Sequence, residues 1–206
     1  MQDLKETMSH RAALKEHILE ISMRAFIEHG IKAVKMDDIA SMLGISKRTL
    51  YEIYEDKERL LYQAIVKYDK LKHNQLSAFA EAGHNVIEII LEAYRIKANE
   101  LRMVNPVFYD DILKYPAVAN YIKEVHERSR SNISQFLSRG ADEGYFRKDI
   151  DYEMLVHLSD AIGQHIKVQK LHQRYTIQAL FENFYLVILR GLCTQKGLEV
   201  LNAANL

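Results

Sequence analysis

The sequence of 206 residues has few of the residues that bend or cross-link a chain. It contains one cysteine, two prolines, eight glycines and no tryptophan. A single cysteine excludes an internal disulfide and is typical of a reducing compartment. Because glycine and proline are scarce and valine, isoleucine and threonine show no sustained alternation, the sequence favours an all-helical protein.

Long apolar runs and known enzyme motifs are also missing. No apolar segment reaches the ~18 residues that cross a bilayer, and no secretory signal opens the chain. We therefore expect a cytoplasmic protein without a membrane partner. The sequence has no GxGxxG or GxxxxGK[ST] phosphate loop, no GxSxG elbow, no HExxH motif and no CxxC pair. We accordingly expect neither catalysis nor a cofactor.

The charge of the chain gives no indication of a nucleic-acid partner. Basic and acidic side chains number 28 each, so the formal net charge is zero. Residues 1–60 contain ten basic against eleven acidic side chains, a balance of −1. A nucleic-acid binder with one large basic face would show an excess of basic residues. Any affinity for DNA must therefore depend on where individual cations lie.

The stretch from residue 34 to residue 61 has the pattern of two short helices joined by a tight turn. One face of the first helix is formed by Ile39, Ala40 and Leu43. Gly44 follows where a helix stops, because only a residue without a β-carbon enters the left-handed conformation cheaply. The hydroxyl of Ser46 can then cap a second helix, in which Leu50 and Tyr54 lie four residues apart and pack against the first. This is the pattern of a helix-turn-helix.

A helix-turn-helix binds DNA by placing its second helix in the major groove. The candidate DNA-binding residues around this turn are Lys35, Lys47, Arg48, Thr49, Tyr51, Glu52 and Lys57. We expect Tyr51 and Lys57 to contact phosphates, which position the protein without reading bases. Glu52 is predicted to accept a hydrogen bond from a cytosine amino group. The alternative is that Glu52 points away from the groove and pairs with Arg48 four residues earlier.

The same stretch resembles the N-terminal domain of TetR-type transcriptional regulators, whose pattern runs roughly I-A-x-x-x-G-[VI]-S-x-x-x-L-Y-x-[YH]-[FV]-x-x-K-x-x-L. The matching positions are Ile39, Ala40, Gly44, Ile45, Ser46, Leu50, Tyr51, Lys57 and Leu60, with Ile18, Leu19, Phe26 and Gly30 upstream. The resemblance covers about the first quarter of the chain. It implies an all-α fold with an N-terminal three-helix DNA-binding domain and a C-terminal helical domain for ligand binding and dimerisation.

Two positions depart from the family pattern. Lys35 stands where the family has the threonine that begins the second helix and meets a phosphate. A lysine keeps the phosphate partner but cannot cap the helix, so we expect the carboxylate of Asp38 to reach back to the N–H groups of the first turn. Ile53 stands where the family has a tyrosine or histidine near the DNA backbone, and no contact is expected there.

The sequence divides into two domains. We expect the DNA-binding domain at residues 1–56, a linking helix at about residues 57–80 that Asp56 caps, and the ligand-binding and dimerisation domain at residues 81–206. The resemblance implies that the tilt of the linking helix sets the separation of two DNA-reading domains. Regulation by a ligand is therefore expected to act through this helix.

A ligand pocket is predicted among helices spanning residues 86–104, 107–114 and 117–137. These segments mix aromatic and flexible apolar groups with polar ones, which suits a mostly apolar site with a few orienting hydroxyls. The predicted pocket residues are Tyr94, Met103, Phe108, Tyr109 and Tyr121. The alternative is that the tyrosines belong to the core with a hydroxyl at its edge. The identity of the small ligand does not follow from the pattern.

Of the last two long helices, one has an apolar stripe and the other, at about residues 176–194, carries more apolar residues than one face can hold. Such a helix must be covered on two sides. It is either a central core helix or part of a homodimer interface in which two helices from each subunit form a four-helix bundle, and we expect the dimer. The predicted interface residues are Leu155, Leu158, Ile162, Ile166, Phe181, Phe184 and Ile188.

Nine histidines raise the possibility of a metal site, with His157, His165 and His172 at helical spacings. No carboxylate or cysteine completes a compact ligand set, so we expect interface or solvated histidines and no metal.

The sequence as a whole predicts a repressor that a small ligand releases from a near-palindromic operator. One alternative is a DNA-bound protein whose C-terminal domain recruits a protein partner. Another is an enzyme or metal sensor, which would require a convergent polar or histidine-rich site.

Overall fold

The computed structural model describes residues 2–169, 171 and 174–204, and it is built from helices. The first seven helices are α1 (Gln2–His29), α2 (Met36–Leu43), α3 (Lys47–Ile53), α4 (Lys57–Glu81), α5 (Val86–Met103), α6 (Pro106–Ile112) and α7 (Pro116–Asp142). They are followed by α8 (Tyr152–Val168), α9 (Ile177–Leu180), a π-helical turn (Phe181–Tyr185), α10 (Leu186–Leu192) and α11 (Gln195–Ala203). Extended pairing in these residues is limited to an isolated bridge between Phe146 and Cys193. The predicted all-α class is confirmed.

The helices form two compact units. The first unit comprises the chain up to Asn74 together with Met103–Glu124, and the second comprises Gln75–Arg102 and the chain from Val125 onward. This grouping differs from the division expected from the sequence, which assigned all of residues 81–206 to one domain. The segment Met103–Glu124 groups with the helix-turn-helix because it contacts α1 through Asn105 and the turn before α2 through Asp111. It also contacts α4, where the hydroxyl of Tyr121 donates to Asp69 at 3.0 Å.

The core of the first unit is formed by apolar residues of α1 to α4 and of the turn after α1, together with Val104, Phe108 and Val118. Fully buried members are Ile18, Phe26, Ile31, Ile39, Leu50, Leu60 and Leu61. Tyr54 is buried as well, and its hydroxyl donates to the carbonyl of Lys15 at 3.4 Å. Burial raises the pKa of Tyr54 to about 12. The four helices therefore share one continuous core.

Helix α6 is fixed to the end of α1 by hydrogen bonds. The backbone N–H of Asn105 donates to the carbonyl of Ile27 at 2.9 Å, and the Asn105 amide donates to the carbonyl of Glu28 at 3.2 Å. Gly30, which ends α1 with a φ of +83°, allows this approach because a β-carbon there would lie 3.0 Å from Val107. The last carbonyls of α1 are thus satisfied by a segment far away in sequence.

Asp111, on α6, is a buried carboxylate in the first unit and only 3% exposed. It accepts a hydrogen bond from the backbone N–H of Lys32 at 2.8 Å and one from the ammonium of Lys114 at 2.9 Å. The bond from Lys114 and then the bond from Lys32 lower the pKa of Asp111. Asp111 therefore connects α6 to the turn that leads into α2.

The second unit has its own core, to which α5, α7, α8, α10 and α11 contribute. Its buried members are Val86, Ile87, Leu137, Ala141, Phe146, Tyr152, Val156, Leu189, Leu192, Cys193 and Leu201. Thr194 caps α11 by accepting from the N–H of Gly197 at 3.2 Å, and its hydroxyl donates to the carbonyl of Gly144 at 2.7 Å. Cys193 is buried in this core, and burial raises the pKa of its thiol to about 11. Across the described residues, no helix has the length and apolar character to cross a membrane.

Candidate DNA-binding site

Helix α2 begins with half of a capping box. Lys35 occupies the N-cap position with an extended backbone, and its ammonium offers no lone pair to the first N–H groups. The carboxylate of Asp38 accepts a hydrogen bond from the Lys35 backbone N–H at 2.8 Å, so the predicted compensation by Asp38 is confirmed. The side chain of Lys35 is exposed at this end of α2.

The turn between α2 and α3 depends on Gly44. Its φ of 63° and ψ of 26° are left-handed, and its N–H donates to the carbonyl of Ser41 at 3.2 Å. The N–H of Ile45 donates to the carbonyl of Ala40 at 3.1 Å. A β-carbon at Gly44 would meet nothing within 4 Å, so the turn requires glycine for its conformation and not for space. The angle between the two helices is set by this turn.

Helix α3 is capped by Ser46 and anchored by Leu50. The Ser46 hydroxyl oxygen accepts from the N–H of Thr49 at 3.0 Å, and the two hydroxyls lie 2.8 Å apart. Leu50 is fully buried, which turns the opposite face of the helix outward. That exposed face presents Lys47, Arg48, Tyr51 and Glu52. Thr49 is partly buried and serves the cap.

Two cations of α3 contact carboxylates. The ammonium of Lys47 hydrogen-bonds to Asp37 in the first turn of α2, and this bond raises the pKa of Lys47. The guanidinium of Arg48 donates to Glu52 at 2.7 Å, one turn further along α3. The contact that we gave as the alternative for Glu52 is therefore present in the structure. The pairing of Asp37 with Lys47 was not predicted from the sequence, although the acidic first turn of α2 and the lysine that starts α3 were available signals.

Lys57 is the first residue of α4 and is half-buried. Burial lowers its pKa, while the carboxylates of Asp111 and Asp38 act in the opposite direction. Asp56 accepts from the N–H of Arg59 at 2.7 Å and so caps α4, as predicted. We call residues 35–57 the reading head. It contains all seven predicted DNA-binding residues, and they lie on α3 or at the starts of α2 and α4.

The five predicted pocket residues do not share one unit. Met103 is 76% exposed, Phe108 is buried in the first core, and Tyr109 and Tyr121 pack against that core. Tyr94 alone belongs to the second unit, where its ring stacks on Phe181 with centroids 3.4 Å apart. The prediction grouped them by helical level, but helical level does not reveal that residues 103–124 pack with the first unit.

Two surface grooves lie within the first unit, with volumes of about 400 and 380 Å³. One runs along α1 and α4 beside Leu19, Tyr62 and Leu71. The other lies beside Asp56, Tyr62 and the start of α7. Neither groove is lined by any of the five predicted pocket residues.

The second unit exposes large apolar side chains on α8 and on the segment from Ile177 to Leu192. Exposed members are Met154, Leu158, Tyr185 and Val187. Among the predicted interface residues, Leu158 is exposed, and Leu155, Ile162, Ile166, Phe184 and Ile188 are partly buried. Phe181 differs, because it is buried against Tyr94.

A metal site is not formed by the described part of the chain, where no three histidine, cysteine or acidic side chains come together to hold an ion. His157 and His165 are exposed. His172, the third member of the spacing noted in the sequence, lies outside the described residues.

The reading head lies within a segment that matches a known family. Residues 18–64 match the family described as bacterial regulatory proteins, tetR family. Over 186 residues the chain is 23% identical to the transcriptional repressor KstR2 of Mycobacterium tuberculosis, covering 87% of this chain and 92% of that protein.

Solved structures share the fold. A putative transcriptional regulator from Saccharomonospora viridis in complex with choline aligns with a TM-score of 0.72 at 19% identity, covering 89% of this chain and 100% of that one. The ketosteroid transcriptional regulator KstR2 of Mycobacterium tuberculosis aligns with a TM-score of 0.56 at 19% identity, covering 88% of this chain and 95% of that one.

Proposed function

Because the chain is a transcriptional regulator of the TetR family, we propose that it is a repressor that binds a near-palindromic operator as a homodimer and leaves it when a small ligand binds. The observation that carries this proposal is the exposed face of α3. That face presents four side chains able to contact DNA, and the left-handed turn at Gly44 and the cap at Ser46 hold it in place.

In the proposed complex, α3 enters the major groove and the surrounding cations contact phosphates. Lys35 and Lys57 stand at the starts of α2 and α4, where backbone N–H groups also favour anions. Tyr51 adds a phenol that can donate to a phosphate. Glu52 reads a cytosine amino group once it leaves Arg48. Phosphate contacts fix the register, and Glu52 supplies sequence preference.

The homodimer is proposed from the apolar surface of the second unit. The exposed side chains on α8 and between Ile177 and Leu192 would be covered by the same surface of a second copy, as in a two-fold interface. Two reading heads would then enter successive major grooves about 34–36 Å apart, which requires an operator with two-fold symmetry.

The ligand site is proposed in the second unit, near Tyr94 and Phe181. Their stacked rings lie where the helix widens into a π-helical turn, a feature that occurs often at functional sites. The regulator from Saccharomonospora viridis was solved in complex with choline, and KstR2 is described as a ketosteroid regulator, so the two proteins point to different chemical classes. They support regulation by a small ligand but not one class of ligand.

Release from DNA follows from differential binding. A ligand weakens operator affinity only if it prefers a dimer whose reading heads are wrongly spaced. We propose that α4 carries this coupling, since its residues belong to both units. A tenfold loss of DNA affinity requires only about 1.4 kcal/mol of such preference.

The test begins by selecting operator sites from random duplex DNA and then screening small molecules, choline first, for release of the bound protein. Ligand affinity is next measured by calorimetry with and without saturating operator. Linkage predicts that the operator weakens ligand binding by the factor by which the ligand weakens operator binding. Equal ligand affinities, for a compound that Tyr94→Ala no longer binds, would contradict ligand-controlled release.

A further inference from the structure

Lys47 starts α3 on the exposed face that is proposed to meet DNA, yet its ammonium is hydrogen-bonded to Asp37. The two residues lie ten positions apart and on different helices, so the turn brings them together. Both side chains are about half exposed, at 64% for Lys47 and 48% for Asp37. Solvent and phosphates can therefore reach the pair.

Asp37 is also close to a second predicted phosphate contact. It lies in the first turn of α2, two residues after Lys35. A phosphate that approaches the start of α2 would thus meet the carboxylate of Asp37. The same carboxylate already balances the charge of Lys47. The charge count agrees with cations that are balanced by carboxylates, because residues 1–60 carry one more acidic than basic side chain.

We propose that Asp37 competes with DNA phosphates for Lys47 and so lowers the affinity for all duplex DNA by one common factor. This inference rests on the proposed DNA-binding function. The factor is common because phosphates are the same in every sequence. A cation that is already paired with an internal carboxylate releases fewer DNA counterions when it binds, so it contributes less to affinity and to its salt dependence.

Asp37 and Glu52 then have different roles. Glu52 sits on α3 itself, paired with Arg48 on the same helix, and is proposed to choose among base pairs. Asp37 sits on α2 and acts on affinity without choosing a sequence. The two carboxylates can be told apart because one changes the selected operator and the other does not.

The size of the Asp37 effect follows from counterion release. Each phosphate contact makes the negative slope of log affinity against log salt steeper by about 0.9. One recovered contact therefore strengthens binding roughly fivefold at about 0.15 M monovalent salt. Asp37→Asn keeps the size of the side chain and removes its charge, and it should recover this contact. The backbone carbonyl of residue 37, which accepts from the hydroxyl of Ser41 at 2.9 Å, is retained.

The experiment titrates the full-length protein onto a labelled operator and onto a random-sequence duplex at several salt concentrations. Asp37→Asn should bind both DNAs about fivefold more tightly at about 0.15 M salt, with a slope steeper by about 1 and an unchanged selected operator. Asp37→Glu, which keeps the charge, should behave like the wild type. Asp142→Asn makes the same charge change in the second unit and should have little effect.

A variant without the Lys47 ammonium tests whether Asp37 acts through Lys47. In Lys47→Gln protein, Asp37→Asn should no longer change affinity by more than Asp142→Asn does. A full effect that persists without Lys47 would overturn the competition. Weaker operator binding by Asp37→Asn, with random-sequence binding unchanged, would also overturn it, because Asp37 would then position α3. If the wild type binds neither duplex at low salt, the DNA-binding function itself fails, which distinguishes that failure from failure of the inference alone.

Discussion

The two units differ in where their exposed apolar side chains lie. In the first unit, large apolar side chains of four helices are fully buried, and even a carboxylate, Asp111, is enclosed and hydrogen-bonded. The second unit has a core of its own and leaves Met154 and Leu158 exposed one turn apart on α8. The exposed large apolar side chains of the first unit, such as Met42 on α2 and Leu71 on α4, lie on different helices. Exposed apolar side chains that lie together favour a partner surface, whereas scattered ones are common on monomers. We therefore propose that the first unit reads DNA and that the second unit self-associates.

The largest expected effect is on dimerisation, and it is tested at two leucines of nearly equal exposure, one in each unit. Leu158 in the second unit is 57% exposed and Leu71 in the first is 56% exposed. Leu158→Asp should dissociate the dimer, because an unpaired carboxylate in a desolvated bundle costs about 3 kcal/mol or more. Leu71→Asp should leave the dimer intact. Light scattering at micromolar concentration distinguishes the two, and two variants that are both dimeric would refute the assignment of the interface to α8.

The next effect concerns Asp111, the carboxylate that joins α6 to the turn before α2. Asp111→Ala leaves the backbone N–H of Lys32 without its acceptor and the ammonium of Lys114 without its partner, and it should lower the free energy of unfolding by about 2 kcal/mol. Asp110→Ala, at the exposed neighbouring position, should cost much less. Chemical denaturation of the two variants provides the comparison. Equal losses would mean that Asp111 does not hold α6 in place.

The same carboxylate predicts an acid dependence. Its hydrogen bonds lower its folded pKa below the ordinary value of 3.8, so the unfolded chain takes up the proton first as the pH falls. The stabilisation is fully present above about pH 4 and is lost as the pH falls through the folded pKa. Asp111→Asn should therefore lose less stability than the wild type when denaturation is repeated at pH 5 and pH 3. An identical loss in the two proteins would exclude this role.

A smaller effect tests the phosphate contacts of the reading head. Lys57→Ala should weaken binding to operator and random-sequence DNA alike, roughly fivefold at about 0.15 M salt, and reduce the salt slope by about 1. Tyr51→Phe should also act on all sequences alike, since phosphates carry no sequence information. Lys148→Ala, an exposed lysine of the second unit, provides the control. If the slope of Lys57→Ala equals that of the wild type, Lys57 does not contact a phosphate.

The smallest effect sharpens the description of the first core. Ser22 is fully buried on α1, and its hydroxyl has no hydrogen-bond partner among the residues that the structure describes. Ser22→Ala removes this unpaired group and should raise the free energy of unfolding by up to about 1 kcal/mol. Thermal unfolding measures it. A lower melting temperature would show that the hydroxyl is satisfied in solution.

The helix-turn-helix was predictable almost residue by residue because its signals are local. Gly44 ends one helix and Ser46 caps the next, and both act within a few residues of their own position. The place of α6 was not predictable, since Asp111 and Lys32 are 79 residues apart and periodicity does not say which distant helix lies opposite. The predicted pocket depended on that same information. The π-helical turn at Phe181–Tyr185 has no local signal that we can identify.

The most direct test of the account repeats the operator selection with Glu52→Gln. If α3 lies in the major groove of each half-site, the preferred base should change at one position, and the same position should change in both halves of the site. This result would place the exposed face of α3 on the bases and two copies of the chain on one operator. An operator that is unchanged at every position, or one without two-fold symmetry, would contradict the account.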